Sequence, residues 1–113
     1  SYGPTLITKH TLRLPERVGG PLSEHERTFW VLYGHLSWDS ISHWSAGDAF
    51  SKGDVLAAMG HEEENGGWPP HVHVQLSWHE PVNGDLPGVV RPENRLDALE
   101  NYPDPRLICG PLY

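Results

Sequence analysis

Two histidines separated by one residue, His71 and His73, give the strongest chemical signal in the sequence. They lie in the run 70–76, Pro-His-Val-His-Val-Gln-Leu, where polar and apolar side chains alternate. Because successive side chains of a β-strand point to opposite faces, this spacing predicts that both imidazoles lie on one face. Two neutral nitrogen donors placed side by side can bind one zinc ion, or one can bind the ion while the other holds a water.

A third imidazole, His35, follows Tyr33 and Gly34 at the end of a run rich in aromatic and β-branched residues. If the two strands are neighbours, three imidazoles and the Tyr33 hydroxyl surround one point. The competing interpretation is a solvated strand face with ordinary histidines, because a short His-x-His pair often arises by chance. The stiff run 66–70, Gly-Gly-Trp-Pro-Pro, favours a built site, since it limits the freedom of the chain just before the pair. The other histidines are expected to be surface or hydrogen-bonded side chains: His10, His25, His43, His61 and His79.

The elements that must position these residues are short. The sequence predicts strands over residues 5–10, 29–33, 55–59 and 71–76, with glycine turns at Gly47, Gly53 and Gly60 that need positive φ. Past residue 80 proline and glycine recur, and only residues 93–101 can form a short helix. The expected fold class is all-β and antiparallel, with hairpin connections and a loop-rich carboxyl-terminal tail.

Composition narrows the class of function. A chain of 113 residues suits one compact domain, and its 12 glycines and 11 prolines predict frequent turns. A net charge of −7 disfavours nucleic acid and anionic membrane surfaces as partners. The sequence has no apolar run of spanning length, and its one cysteine excludes an internal disulfide.

An ordered set of motifs extends the histidine signal. In chain order it comprises Tyr33-Gly34-His35-Leu36-Ser37, Gly47-Asp48, Lys52-Gly53-Asp54-Val55-Leu56-Ala57, Met59-Gly60, Asn65-Gly66 and Pro70-His71-Val72-His73-Val74-Gln75-Leu76. Over residues 2–77 this order resembles the lysostaphin/LytM-type zinc metallopeptidases, which cleave peptide bonds in bacterial cell-wall cross-bridges.

The resemblance implies an antiparallel β-sheet groove or sandwich of the lysostaphin-like, duplicated hybrid motif type. It implies zinc as cofactor, with His73 as a zinc ligand and His35 and His71 as catalytic residues. The residues predicted to bind a peptide substrate are Tyr33, Asn65, Gly66 and Trp68. Trp68 is predicted because it lies in the loop that borders the site, where its ring could stack on a peptide, and Tyr33 because its hydroxyl could stabilise the developing oxyanion. The chemistry is consistent, because zinc lowers the pKa of a bound water to about 7 and a nearby imidazole can take its proton.

The chain departs from the family pattern at its amino end. The other two zinc ligands of the family lie on a His-x-x-x-Asp element, and this chain is expected to begin after it. Residues 1–80 are then a peptidase-like domain without its amino-terminal strands, and residues 81–113 are a loop-rich tail or the start of a linker. One ligand of three would leave the metal absent or held in a weak two-histidine site, so whether the chain is an enzyme stays open. A truncated sheet would also expose a strand edge near residues 4–10 and favour a homodimer.

The loop 65–70 resembles the version found in large fusion proteins that also carry a kinase-like phosphotransferase domain and a class-III, pyridoxal-phosphate-dependent aminotransferase domain. Membership of such a fusion implies a cytoplasmic location, whereas a cell-wall hydrolase would be in the cell envelope or secreted. The alternative function is a non-catalytic binding or structural module of a multidomain protein. A stand-alone metal-binding β domain is a third hypothesis, which the ordered motifs disfavour.

Overall fold

The computed structural model describes residues 2–13, 26–65, 67–87 and 91–110. Its elements, in chain order, are β1 (Leu6–Arg13), β2 (Glu26–Gly34), α1 (Trp38–Ile41), β3 (His73–Ser77), a 3-10 turn (Pro92–Asn94), α2 (Arg95–Asn101) and α3 (Arg106–Cys109). The strands form one antiparallel sheet in the order β1-β2-β3, so the expectation of a mainly-β fold is confirmed. Among the described residues, no helix has the length and apolar character needed to cross a membrane.

The chain forms two compact units, each with its own buried residues. The first unit contains Ser1–Leu6 and Tyr33–Val74, and the second contains Ile7–Leu32 and Gln75–Tyr113. In the second unit the core side chains are Val31, Leu32, Leu76 and Leu86. In the described part of the first unit, the apolar residues Pro4 and Leu36 are buried together with the polar residues His35 and Asn65. The boundary near residue 80 stays a prediction.

The two strands expected first overlap β1 and β2, whereas β3 begins at His73, two residues later than the alternation predicts. Pro69 and Pro70 come just before, and a proline has no N–H to give to a sheet ladder. The apolar face of this run is also incomplete, since Val72 is 44% exposed while Leu76 is 6% exposed.

The predicted strand over residues 55–59 is wrong. Only Met59 pairs there, in an isolated antiparallel bridge with Leu36. After Leu36 the chain turns into α1, capped by the Ser37 hydroxyl that accepts from the Ser40 N–H, so no strand continues opposite Val55. Val55 is accordingly 86% exposed, although its residue type favours a strand.

Two of the three predicted glycine turns are confirmed. Gly47 has φ 94° and Gly53 φ 90°, each as third residue of a turn closed by a backbone hydrogen bond of 3.0 Å. Gly60 does not adopt positive φ. It is glycine for a different reason, because an added Cβ there would overlap the Leu36 carbonyl.

Beyond residue 80, α2 lies within the segment where a helix was expected, whereas α1 and α3 were not foreseen. Both have only four residues, too short for a periodic pattern to show. The N–H of Trp78 donates to the carbonyl of Asn101 at the end of α2, at 3.0 Å. This contact ties the tail to the residue that follows β3.

A row of rings lies in the second unit. His10 on β1 stacks on Phe29 of β2 with ring centroids 5.0 Å apart, and Phe29 meets Trp78 edge-on at 6.1 Å. The Arg27 guanidinium lies 3.8 Å from the centroid of the Trp78 ring, a cation–π geometry. The Nε2 of His10 is also 2.7 Å from the Thr8 hydroxyl. Burial among these neighbours lowers the pKa of His10 below its usual 6.5.

We expect Leu32→Ala to cost about 2–5 kcal/mol of unfolding free energy, because Leu32 has 0% exposure and truncation leaves a cavity. Urea denaturation followed by circular dichroism measures the change. The matched control is Leu96→Ala on α2, where the side chain is 77% exposed and the expected change is within roughly 0.5 kcal/mol. Equal midpoints for the two variants would contradict the assigned core.

We expect His10 to make stability depend on pH. Its folded pKa lies below 6.5, so the unfolded chain binds a proton that the folded chain does not. The contribution of His10 is complete above pH 6.5 and is lost as pH falls from 6.5 through the folded pKa. His10→Gln should flatten the stability–pH curve over this interval, measured by urea midpoints. A wild-type slope in His10→Gln would exclude this coupling.

Candidate functional site

The ends of β2 and β3 bring three imidazoles together in the first unit. His35 directly follows β2, His73 is the first residue of the neighbouring β3, and His71 lies two residues before it. The ring centroid of His35 is 4.3 Å from that of His71 and 5.9 Å from that of His73. The two strands are neighbours, as the three-histidine hypothesis requires.

His35 has a conformation that few residues with a side chain adopt. Its φ is 60°, in the left-handed region, and only 4% of its surface is exposed. Its N–H donates to the Tyr2 carbonyl at 2.6 Å, and its carbonyl accepts from the Gly60 N–H at 2.9 Å. Backbone strain of this kind persists where surrounding contacts over-determine it, and such positions cluster at functional sites.

Backbone carbonyls fix the protonated nitrogen of two of the rings. The Nδ1 of His35 is 2.6 Å from the carbonyl oxygen of Asn65, and the Nδ1 of His71 is 2.6 Å from that of Pro69. A carbonyl oxygen can only accept a hydrogen bond, so both Nδ1 atoms carry the hydrogen. In each neutral ring Nε2 is then the nitrogen with the lone pair, available to a proton or a metal ion.

Two aromatic side chains border the imidazoles. Tyr2 stacks on His73 with centroids 4.5 Å apart and meets His35 edge-on at 6.1 Å. Trp68 lies edge-on to His35 at 6.5 Å and to His71 at 6.3 Å, and it is 56% exposed. Tyr2 was missed by sequence reasoning. No local pattern singled it out, and its place beside His73 depends on contacts between segments far apart in the sequence.

The other candidate residues have different surroundings. Tyr33 is partly exposed, and among the described residues its ring is not one of those that contact the imidazoles. Asn65 is 0% exposed, and its side chain is bonded to the protein backbone. Gly66 lies outside the described residues.

The other histidines that the structure describes do not join the three rings. His43 and His61 are exposed in the first unit, whereas His10 and His79 belong to the second. The Nε2 of His79 is 2.9 Å from the Asn101 amide oxygen. His25 lies outside the described residues.

The next feature of the site is its set of possible zinc ligands. Within the described ranges, no three His, Cys, Asp or Glu side chains form a group that could hold a metal ion. The zinc expectation is unaffected, because the resemblance takes one ligand, His73, from this chain and two from elsewhere. Zinc binding by His73 stays a prediction.

The structure thus shows a mainly-β fold with a cluster of three imidazoles where β2 ends and β3 begins. Compared with models of protein families, with curated proteins and with solved structures, the chain has no match.

We expect Gly34→Ala to disturb the cluster through steric overlap. An added Cβ would lie 2.9 Å from the Tyr2 Cβ and 3.4 Å from the His73 Cβ, so the Tyr2–His73 stack must open. The overpacking should cost about 1–3 kcal/mol. NMR measures the opening as a changed ring-current shift of the His73 ring protons. Gly47→Ala, which meets nothing within 4 Å, should leave those resonances in place, and an unchanged His73 in Gly34→Ala would contradict the packing.

Proposed function

We propose that this chain is the carboxyl-terminal part of a lysostaphin-like zinc metallopeptidase domain that hydrolyses peptide bonds in cell-wall-type peptides, within a larger protein. The observation that supports it is the convergence of His35, His71 and His73, two of them with Nδ1 bonded to a backbone carbonyl. Amide hydrolysis needs a group that takes a proton from water and returns one to the leaving amine. A tethered imidazole suits both steps.

In this proposal His35 and His71 move protons at Nε2. Each neutral ring accepts a proton there, and the Nδ1–H that faces a carbonyl oxygen stabilises the resulting imidazolium. The same Nε2–H can then be donated to the nitrogen of the cleaved bond. The centroid separation of 4.3 Å lets one ring serve the water while the other serves the developing oxyanion.

His73 would be the zinc ligand that this chain contributes, with the other ligands supplied from outside it. Zinc, when bound, supplies a Lewis acid that polarises the carbonyl and acidifies water. Tyr2 packs flat against His73 and so holds its ring in a fixed orientation, which a metal ligand requires.

The substrate would lie along Trp68, whose exposed indole can stack on a peptide. Tyr33 and Gly66 stay predicted substrate contacts. The net charge of −7 favours neutral or basic peptides over acidic ones. A homodimer through β1, an edge strand of the sheet, also stays a prediction. The location would be cytoplasmic in an aminotransferase fusion and otherwise the cell envelope or outside the cell.

The second candidate function is a non-catalytic binding or structural module of such a fusion. This chain contributes one expected zinc ligand, His73. If the rest of the protein contributes no other ligand, zinc cannot be held tightly and the module would be non-catalytic. The imidazole cluster would then bind a peptide without cleaving it.

The test uses the protein as its gene encodes it, refolded with zinc, and compares His73→Ala, His71→Ala and His35→Ala. We expect His73→Ala to weaken zinc binding at least tenfold, because it removes a ligand. The other two variants should keep the metal and lose hydrolysis of a cell-wall cross-bridge peptide by about 100-fold or more, since each removes a proton-transfer group.

Zinc content by atomic absorption and peptide cleavage by mass spectrometry give the two readouts, with His43→Ala as the matched control at an exposed histidine. If the wild-type protein binds no zinc, the peptidase function is excluded and the non-catalytic binding module is the function that remains. Equal loss of zinc in all three variants would refute the division of roles.

A further inference from the structure

Asn65 is the most completely buried polar side chain near the imidazoles, with 0% exposure. Its amide nitrogen donates to the carbonyls of Trp68 at 2.8 Å and Gly60 at 3.2 Å, and its amide oxygen accepts from the Trp68 N–H at 2.9 Å. Both amide N–H groups are therefore used within the protein. A buried side chain bonded in this way has no donor to offer a ligand.

The backbone of Asn65 is held as firmly as its side chain. Its N–H donates to the His61 carbonyl at 2.9 Å, and its own carbonyl accepts from the Nδ1 of His35 at 2.6 Å. Gly3 also packs closely against this carbonyl: an added Cβ would be 2.9 Å from the Asn65 carbonyl carbon and 3.0 Å from its oxygen. The carbonyl that sets the His35 tautomer therefore has both the His35 ring and Gly3 as close neighbours.

We propose that Asn65 is a positioning residue, which holds His35 in its Nδ1–H tautomer and holds Trp68 beside the imidazoles. One side chain grips both backbone groups of Trp68, and one carbonyl of the same residue receives the His35 ring. The proposal rests on the proposed function only in treating His35 as a proton-transfer group. It replaces a substrate contact at Asn65 with a structural coupling between the loop and the ring.

The chemistry requires an amide at this position. An aspartate would direct a carboxylate oxygen at the carbonyl oxygens of Gly60 and Trp68, where nothing can donate to it. An alanine would leave the Trp68 N–H without its acceptor and free the loop to shift. In either variant the Asn65 carbonyl moves, and the neutral His35 ring populates both tautomers.

The experiment reads ring tautomers by ¹⁵N–¹H NMR of histidine-labelled protein at a pH where the imidazoles are neutral. Wild-type His35 should be the Nδ1–H tautomer alone. Asn65→Ala and Asn65→Asp should each give a mixture at His35, while His71 stays Nδ1–H because its acceptor, Pro69, is two residues away and moves with it. His71 is thus an internal control for general unfolding.

Gly3→Ala provides a second route to the same carbonyl. Its added Cβ presses on Asn65, so His35 should again show both tautomers. The matched control is Gly53→Ala, which also has positive φ but meets nothing within 4 Å and should keep the wild-type tautomer.

Where the wild type cleaves peptide, kcat should fall at least tenfold in Asn65→Ala with KM changed less than threefold, the pattern of a lost alignment. A wild-type His35 that is not Nδ1–H, or a folded Asn65→Ala with unchanged His35, would overturn the proposal. A raised KM with an unchanged tautomer would likewise overturn it in favour of substrate contact. Absence of hydrolysis in the wild type would count against the proposed function, while the tautomers still decide the role of Asn65.

Discussion

The short hydrogen bond from the buried His35 ring to the carbonyl of Asn65 is the contact on which the rest of the site depends. It joins two residues 30 positions apart, one at the end of a strand and one in a loop. Through it the sheet determines where the loop lies, and the loop determines which nitrogen of His35 carries the hydrogen. The position of Trp68 follows, since Asn65 also holds that residue by its N–H and its carbonyl.

The backbone strain at His35 is offset by hydrogen bonds to the same residue. His35 occupies left-handed backbone space, which costs of order 1–3 kcal/mol in a residue with a side chain. Hydrogen bonds to Tyr2, Gly60 and Asn65 surround it and offset that cost. Relaxing the backbone would break all three, so the ring is fixed by the sum of contacts that are individually ordinary.

Much of this arrangement could be anticipated from residue types. Strand-favouring residue types predicted β1 and β2, and the His-x-His spacing placed two imidazoles together. Sequence reasoning failed where a partner segment decides the outcome. Residues 55–59 have strand composition but no opposing strand beyond one bridge, and β3 starts late because prolines precede it. Tyr2 and the inward orientation of Asn65 became visible only through long-range pairing, which no local pattern encodes.

The two tethered imidazoles differ in how far along the chain their acceptors lie. His71 bonds to a carbonyl two residues away, whereas His35 depends on one 30 residues away. As tertiary structure loosens, the local tether outlasts the distant one, so the two rings lose their fixed tautomers at different stages. The tautomer of His71 depends only on the backbone of residues 69–71, whereas that of His35 depends on contact between distant parts of the first unit. Comparing the tautomers of the two rings therefore distinguishes local loss of order from loss of the tertiary structure around the site.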